Sequence, residues 1–122
     1  MNIKLQDIDA LHRELLGFIE YECWICGGRS ALQVAHIVTR KALSTRWDFG
    51  PHGNCHMLCA KCHEHSHTVD TEFYERQYAK RFGESALECL KLRSKHVFSQ
   101  PLREIKQQLA TKLQSMKGDT HG

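Results

Sequence analysis

The segment HGNCHMLCAKCHEHSH, residues 52–67, concentrates side chains that bind metal ions. It holds five histidines and three cysteines in sixteen positions. Imidazole and thiolate are ligands for Zn²⁺ and related divalent cations, and a structural zinc ion takes four of them. The segment therefore carries more ligands than one ion can use. Spacing has to separate residues of a structural site from residues of a reactive site and from residues of neither.

Four of the six cysteines form two C-x2-C pairs, Cys23 with Cys26 and Cys59 with Cys62. Two intervening residues let the backbone form a knuckle with both sulfurs facing inward, and Gly27 permits the positive φ that such a knuckle often needs. Zinc binds four thiolates at tetrahedral corners, and a closed site of this kind is structural. We therefore predict one structural Zn²⁺. Two redox-active pairs, or free buried thiols, are the alternatives.

His63 and His67 follow the second cysteine pair directly and lie four positions apart. If this segment is helical, both imidazoles project from one face about one turn apart, which is a spacing that chelates one divalent ion. A solvated helix face that is rich in histidine is the alternative. The spacing by itself does not decide between these two interpretations.

Apolar periodicity and turn residues predict the elements that position these side chains. Residues 6–19 carry apolar residues at helical spacing and predict an amphipathic helix. The stretch LQVAHIV, 32–38, is apolar and partly β-branched, as expected of a short strand. Glycine and proline mark 39–54 as a loop. A second short strand is expected at about 55–58, and a helix should begin near Cys59 and continue past His67.

Beyond residue 70 the pattern is helical. Aromatic residues at intervals of four predict a helix that ends at Gly83, and ESALECLKLRSKHVF predicts another. A last helix follows Pro101. Its apolar face, from Leu102 to Met116, is long enough either to form a partner surface or to close the chain's own core. The final residues, KGDTHG, are expected to be disordered.

Length and composition fit one cytoplasmic domain. The chain has 122 residues, and its formal charge of +3 is compatible with nucleic acid without requiring it. No apolar run approaches the twenty or so residues of a membrane span. The first residues lack the basic-then-apolar layout of a signal peptide. Six cysteines in a reducing compartment favour metal binding over three disulfides.

The order of these motifs resembles the HNH nucleases, also called ββα-metal or His-Me finger nucleases. The stretches CWICGG, VAHIVTR, GN and LCAKCHEHSH carry the resemblance, which covers about residues 21–70. It implies an α+β fold with a small zinc-stapled, treble-clef-like ββα-metal finger at 21–71. An N-terminal helix at 1–20 and a helical extension at 72–117 would flank the finger within a single domain, and 118–122 would be disordered.

The resemblance also implies a role for each residue that matches the motif. His36 would be the general base that takes a proton from water, and Asn54 would fix the loop that holds His36. His63 and His67 would hold the catalytic cation, which would be Mg²⁺, Mn²⁺, Ni²⁺ or Zn²⁺. The structural zinc would be held by Cys23, Cys26, Cys59 and Cys62. These residue types suit metal-dependent hydrolysis of DNA phosphodiester bonds by an endonuclease.

One position departs from the family pattern. Many HNH enzymes have a metal-binding Asp or His just before the base, and this chain has Ala35. The cation then loses a protein ligand unless Asp48, His52 or His56 replaces it. Ala35 therefore keeps a second hypothesis open, in which the chain is a weakly active or inactive zinc-finger module that binds DNA or a protein. An RNA-binding or protein-binding treble clef is a third hypothesis, and no residue favours it.

A narrower resemblance extends over most of the chain. The loop 39–54 together with the helical segment after the finger resembles the NinG/Rap family of phage recombination endonucleases. Members of that family cut branched DNA. The resemblance implies a phage or prophage enzyme, in the cytoplasm of a bacterial host, that selects DNA structure more than sequence. Because a four-way junction has two-fold symmetry, it also suggests a homodimer.

The loop after the proposed base carries Arg40, Lys41 and Arg46. We predict that these residues contact DNA phosphates, and a solvated loop is the alternative. Trp47 is expected to be a core plug beneath the loop rather than a stacking platform for a base. Three further expectations concern residues outside the motifs. They are that Trp24 and Ile25 pack against the N-terminal helix, that Cys55 and Cys89 are buried thiols, and that His12, His96 and His121 have no role.

Overall fold

The computed structural model describes residues 3–119. Within that range the chain forms six α-helices and one two-stranded antiparallel sheet, which confirms the α+β class. The elements are α1 Leu5–Ile19, β1 Leu32–His36, α2 Leu43–Arg46, β2 Cys55–Cys59, α3 Ala60–Glu64, α4 Phe73–Phe82, α5 Glu84–Ser94 and α6 Leu102–Asp119. A π-helical turn, His65–Val69, continues α3. The short helix α2 was not expected in the loop.

The register of the sheet decides which side each residue of β1 faces. Val34 lies opposite Met57 and Ala35 opposite His56. Val34 and Met57 pack on the side covered by Leu16 of α1, and Ala35 packs on the other side, under α4. Since side chains alternate along a strand, the residue that follows Ala35 returns to the α1 side. His36 therefore faces α1.

A hydrophobic core lies between α1 and α6. Ile8 and Leu15 pack with Leu109 and Leu113, and Trp47 closes the end of this cluster. Trp47 is 6% exposed, so the prediction that it plugs the core is confirmed. The apolar face of α6 is used within the chain, and the homodimer stays a prediction. Among residues 3–119, no helix is long and apolar enough to cross a membrane.

A partly buried ion pair ties α1 to the loop between the strands. Asp9 accepts hydrogen bonds from Arg46 at 2.9 and 2.5 Å and from the indole of Trp47 at 2.8 Å. The third guanidinium nitrogen of Arg46 donates to the carbonyl of Arg40. The Arg46 side chain is only 9% exposed. Arg46 is therefore committed to the fold, which corrects the prediction that it contacts phosphate.

Trp24 packs against the sheet and α4, which corrects the expectation that it packs against α1. Its ring stacks on His56 with centroids 4.3 Å apart and meets the ring of Tyr74 edge-on. The guanidinium of Arg81, on α4, lies 3.8 Å from the ring centroid and donates to the Trp24 carbonyl. A cation held over an indole face in this way stabilises the contact. This stack joins the first cysteine pair to α4.

The helical extension braces the loop from the opposite side. Arg93 of α5 donates to both carboxylate oxygens of Asp48 at 2.9 and 2.7 Å. The hydroxyl of Tyr78 donates to the carbonyl of His52 at 2.6 Å.

Residues 118 and 119, expected to be disordered, belong to α6, while residues 120–122 lie outside the described range and include His121. Cys55 is buried as expected, but Cys89 is exposed.

Asp9→Asn should lower the free energy of unfolding by about 2–3 kcal/mol, because it leaves the buried Arg46 charge without its partner. Urea denaturation of the purified protein measures the change. The matched control is Glu22→Gln, which removes a carboxylate from the exposed pair with Arg29. That control should leave stability nearly unchanged. Equal stability of Asp9→Asn and wild type would show that the buried pair contributes nothing.

Candidate active site and metal centre

The four paired cysteines come together as predicted. One sulfur from each of Cys23, Cys26, Cys59 and Cys62 lies within 4.8 Å of the other three. The sulfurs of Cys26 and Cys59 are 3.7 Å apart. In a tetrahedral zinc site with bonds of about 2.3 Å, the sulfurs are about 3.8 Å apart. The cluster therefore has the ligand type, the number and the spacing that a structural zinc ion requires.

The backbone around the first pair forms the expected knuckle. Gly27 has a φ of +79°, which a residue with a side chain rarely adopts. The amide of Cys26 donates to the sulfur of Cys23 at 3.5 Å, and the amide of Gly28 donates to the sulfur of Cys26 at 3.4 Å. Amide hydrogens directed at sulfur stabilise negative charge there. The second pair is positioned by its place at the start of α3.

The thiols of this cluster do not ionise equally. Burial opposes ionisation of Cys23, but backbone hydrogen bonds at Cys26, Cys59 and Ile25 outweigh it and lower its pKa to about 6. Burial and the neighbouring sulfurs raise the pKa of Cys62 above its usual value. Backbone hydrogen bonds therefore favour the thiolate at Cys23, while burial and the neighbouring sulfurs favour the protonated thiol at Cys62. Binding of Zn²⁺ to all four must release protons.

His63 and His67 lie with their Nε2 atoms 3.0 Å apart. Two nitrogens bound to one ion at about 2.1 Å, at right angles to each other, are also about 3.0 Å apart. The pair thus has the separation of two adjacent ligands of one divalent cation. His63 is partly buried and His67 is exposed, so the pair opens to solvent. The spacing of four positions therefore brings the two rings together as predicted, while the cation itself stays a prediction.

The helix changes character between these two histidines. His63 belongs to α3, whereas His67 belongs to the π-helical turn. The hydroxyl of Ser66 donates to the carbonyl of Cys62, and that of Thr68 donates to the carbonyl of Glu64. Hydroxyls that bond to a carbonyl four residues back compete with the helical ladder and distort it. Single π-turns of this kind are frequent at functional sites.

Gln33 orients the ring of His63. Its Oε1 lies 2.6 Å from the Nδ1 of His63. An amide oxygen only accepts hydrogen bonds, so the proton of the neutral ring is on Nδ1 and the lone pair is on Nε2. That lone pair points toward the Nε2 of His67, 3.0 Å away. Gln33 lies on β1, and sequence reasoning did not identify it because its effect depends on a contact thirty positions away.

His36 ends β1 with its ring anchored on the loop. Its Nε2 lies 2.9 Å from the carbonyl oxygen of Arg46. Because a carbonyl only accepts, Nε2 carries the proton and Nδ1 has the lone pair. Burial lowers the pKa of His36, and the charges of Arg40 and Arg46 lower it further, although the hydrogen bond to the carbonyl acts in the opposite sense. The ring is therefore neutral near pH 7 and able to accept a proton.

Asn54 is fully buried and clamps the loop that carries the His36 anchor. Its Oδ1 accepts the amide of Val38 at 2.6 Å, and its Nδ2 donates to the carbonyl of Val38 at 3.0 Å and to that of Thr45 at 3.4 Å. Its backbone carbonyl accepts the amide of Ile37 at 2.9 Å. These bonds hold both ends of the loop together, which matches the positioning role implied for Asn54.

Gly53 allows Asn54 to reach this position. A Cβ atom at Gly53 would lie 2.8 Å from the Cβ of Asp48 and 3.0 Å from the carbonyl oxygen of Gly50, so a larger residue would push the loop open. The amide of Asn54 donates to the carboxylate of Asp48 at 2.8 Å. Asp48 thus supports the loop's own backbone.

One cleft of about 760 Å³ lies between these elements. Its walls come from α1, β1, the start of the loop, the end of α3 and α4. His36, His63 and His67 all line it. His12 of α1 also lines it, with its ring centroid 6.5 Å from that of His36. Sequence reasoning gave His12 no role because it lies outside every motif.

No third protein ligand joins His63 and His67. Within residues 3–119, the four cysteines are the one group of three or more metal-binding side chains close enough to share an ion. Ala35 is buried, and the hydroxyl of Tyr74 donates to its carbonyl at 3.0 Å. A cation held by the two histidines would therefore take its other ligands from water and from a substrate.

The three residues considered as replacement ligands are held elsewhere. The carboxylate of Asp48 is paired with Arg93. His56 is fully buried, and its Nδ1 lies 2.8 Å from a carboxylate oxygen of Glu20. The ring of His52 lies against Phe82, with centroids 4.2 Å apart. The rings of His65 and Phe73 meet in a T-shaped contact, with centroids 4.9 Å apart.

The basic residues of the loop divide into two groups. Arg46 is buried, as described above, whereas Arg40 and Lys41 are exposed. Arg40 lines the cleft, and its guanidinium is 3.8 Å from Asp9.

Comparison of the chain with protein-family models, with curated proteins and with solved structures gives no match. A function is therefore inferred from these contacts.

Protein purified without added metal should contain one zinc ion per chain, and Cys26→Ser should lose it together with several kcal/mol of stability. Elemental analysis and thermal denaturation measure the two effects. Cys89→Ser is the matched control, because Cys26 and Cys89 are both exposed but only Cys26 belongs to the cluster. Cys26→Ser with wild-type zinc content and melting temperature would contradict a four-cysteine site.

Proposed function

We propose that the chain is a metal-dependent DNA endonuclease of the HNH type. The observation that carries the proposal is the cleft, in which a neutral imidazole base, His36, shares one space with a histidine pair of chelating geometry, His63 and His67. The order β1, β2, α3 around a four-cysteine cluster supports a ββα-metal finger at 21–71. Activity on branched DNA of phage or prophage origin belongs to the same proposal.

His36 generates the nucleophile. Hydrolysis of a phosphodiester needs a water molecule that loses a proton as its oxygen attacks phosphorus. The Nδ1 of His36 has a free lone pair, since its Nε2 hydrogen is bonded to the Arg46 carbonyl. Its lowered pKa keeps that lone pair available near neutral pH and somewhat below. Asn54 holds the loop, and through the loop it holds this orientation.

His63 and His67 would hold the divalent cation. When bound, such a cation supplies charge stabilisation to the phosphate and to the departing 3′-oxygen. Gln33 keeps the Nε2 lone pair of His63 directed at the cation position. Two imidazoles without a carboxylate suit Mn²⁺, Ni²⁺ or Zn²⁺ at least as well as Mg²⁺, which prefers oxygen ligands.

The charges around the cleft favour a phosphate backbone. Arg13 and Arg40 line it and are exposed. The acidic residues of the same walls are neutralised by partners, Asp9 by Arg46 and Glu75 by Lys91 at 3.3 Å. A phosphodiester entering the cleft therefore meets uncompensated positive charge. Lys41 extends this surface along the exposed loop.

The second candidate function is a zinc-stapled module that binds DNA without cutting it. Ala35, buried beneath Tyr74 where many HNH enzymes have a metal ligand, favours this alternative. The free Nδ1 of His36 and the Gln33–His63 contact favour the enzyme, since binding alone requires neither. Nicking of supercoiled plasmid with Mg²⁺, Mn²⁺ and Ni²⁺ in turn separates the two. A comparison of linear duplex, flap and four-way junction then tests the choice of DNA structure.

His36→Gln should reduce plasmid nicking by about 10²- to 10⁴-fold while leaving DNA binding and melting temperature close to wild type. The glutamine amide can still donate to the Arg46 carbonyl, so the loop keeps its anchor and only the base is lost. His96→Gln is the control, because His96 is exposed and lies outside the cleft. Nicking by His36→Gln at the wild-type rate would remove His36 from the role of base.

His67→Ala should weaken Mn²⁺ binding at least about 10-fold, because one of the two imidazole ligands is removed. Gln33→Met should weaken Mn²⁺ binding by about 10- to 100-fold, because the ring of His63 loses the acceptor that orients it. Gln33→Glu restores an acceptor and should bind Mn²⁺ as wild type does. Free Mn²⁺ measured by electron paramagnetic resonance gives the affinities for zinc-loaded protein. Unchanged affinity in His67→Ala would rule out the chelate.

A further inference from the structure

His12 is a buried residue of α1, and the proposed function makes no use of it. The residue is 2% exposed, and its Nε2 lies 2.7 Å from the carbonyl oxygen of Asp48. The carbonyl can only accept, so Nε2 carries the proton and Nδ1 has the lone pair. His36 is anchored in the same way on the carbonyl of Arg46, two residues earlier in the same loop. One loop segment therefore binds the Nε2 hydrogens of both imidazoles and leaves each Nδ1 able to accept a hydrogen bond.

The Nδ1 atoms of His12 and His36 are the two ring nitrogens that the loop leaves free. Across residues 3–119, the one buried side-chain nitrogen or oxygen without a hydrogen-bond partner is Nε2 of His56. The Nδ1 atoms of His12 and His36 have no partner in this range either, so neither atom is completely shielded from solvent. Both residues line the cleft. Burial lowers the pKa of each, which keeps both rings in the neutral, accepting form near pH 7.

The distance between the rings suits a single bridging water molecule. A water oxygen hydrogen-bonded to both Nδ1 atoms at about 2.8 Å would lie about 3.9 Å from each ring centroid. With the centroids 6.5 Å apart, the two rings then subtend roughly 110° at that oxygen. This is close to the angle between the two O–H bonds of water. The separation of the rings is therefore the one that a single water molecule donating to both would require.

We propose that His12 is a second catalytic residue, which accepts one hydrogen of the attacking water while His36 accepts the other. This inference rests on the proposed nuclease function. In the step, the O–H bond toward His36 breaks and its proton moves to the Nδ1 of His36. The oxygen's electron pair forms the new bond to phosphorus, and the bond to the 3′-oxygen breaks with its electron pair. That oxygen takes a proton from solvent, and His12 neither gains nor loses one.

Two substitutions separate this role from a purely structural one. In His12→Gln, the amide nitrogen lies near the former Nε2 and can still donate to the Asp48 carbonyl, but the acceptor in the cleft is lost. In His12→Asn, the shorter side chain can place an acceptor oxygen near the former Nδ1, but the anchor is lost. A water-positioning role predicts that His12→Gln has a near-wild-type melting temperature and a kcat reduced by about 10- to 100-fold. It predicts a lower melting temperature but a smaller loss of kcat for His12→Asn.

The test is single-turnover nicking of supercoiled plasmid at saturating Mn²⁺, below the melting temperature of each variant. Folded His12→Gln with the wild-type rate overturns the inference and leaves the nuclease function intact. If His12→Gln does not fold, His12→Asn decides, and a loss of more than 10-fold in the folded variant overturns the inference. Wild-type protein that cleaves no substrate overturns the proposed function and the inference with it. The Mn²⁺ affinity of both variants should equal that of wild type, because His12 is not a cation ligand.

Discussion

The cleft depends on one buried amide, the side chain of Asn54. The side chain accepts the amide hydrogen of Val38 and donates to the carbonyl of Val38, which closes the loop between the strands. Gly53 leaves the space that this close approach needs. The closed loop fixes the carbonyl oxygens of Arg46 and Asp48, which bind the Nε2 hydrogens of His36 and His12. The direction of each imidazole lone pair therefore follows from the conformation of the loop. Arg93, through Asp48, and Asp9, through Arg46, support the loop from two further elements.

The second half of the site is positioned independently by the four-cysteine cluster. Cys59 ends β2, and Cys62 lies in the first turns of α3. Joining them to the first cysteine pair fixes the direction of α3, and thereby the place of His63 next to the cluster. Gln33 of β1 then selects the tautomer of His63 across the sheet edge. Two separate constraints, the loop clamp and the four-cysteine cluster, thus position His36 and the pair His63 and His67 along one cleft.

Local features of the sequence were sufficient to predict what depends on local spacing. The knuckle at Gly27, the pair His63 and His67, and most of the helices follow from neighbours within a few positions. Arg46 could not be predicted in this way, because its partner Asp9 lies on α1, 37 positions away, and a loop arginine looks the same whether it faces phosphate or an aspartate. His12 was missed for the same reason, and Cys89 was misjudged because α5 turns it outward. The role of such a residue depends on its burial and on partners that are distant in sequence, and a short stretch of sequence contains neither kind of information.

The central claim is that three imidazoles of the cleft, those of His12, His36 and His63, each have one nitrogen fixed by a protein acceptor, which leaves the lone pair on the other nitrogen. Long-range ¹H–¹⁵N correlation spectra of ¹⁵N-histidine-labelled, zinc-loaded protein at pH 7 report the tautomer and charge of each ring directly. The account predicts neutral His36 and His12 protonated on Nε2, and neutral His63 protonated on Nδ1. A His36 ring that is protonated on Nδ1, or charged at this pH, would contradict it.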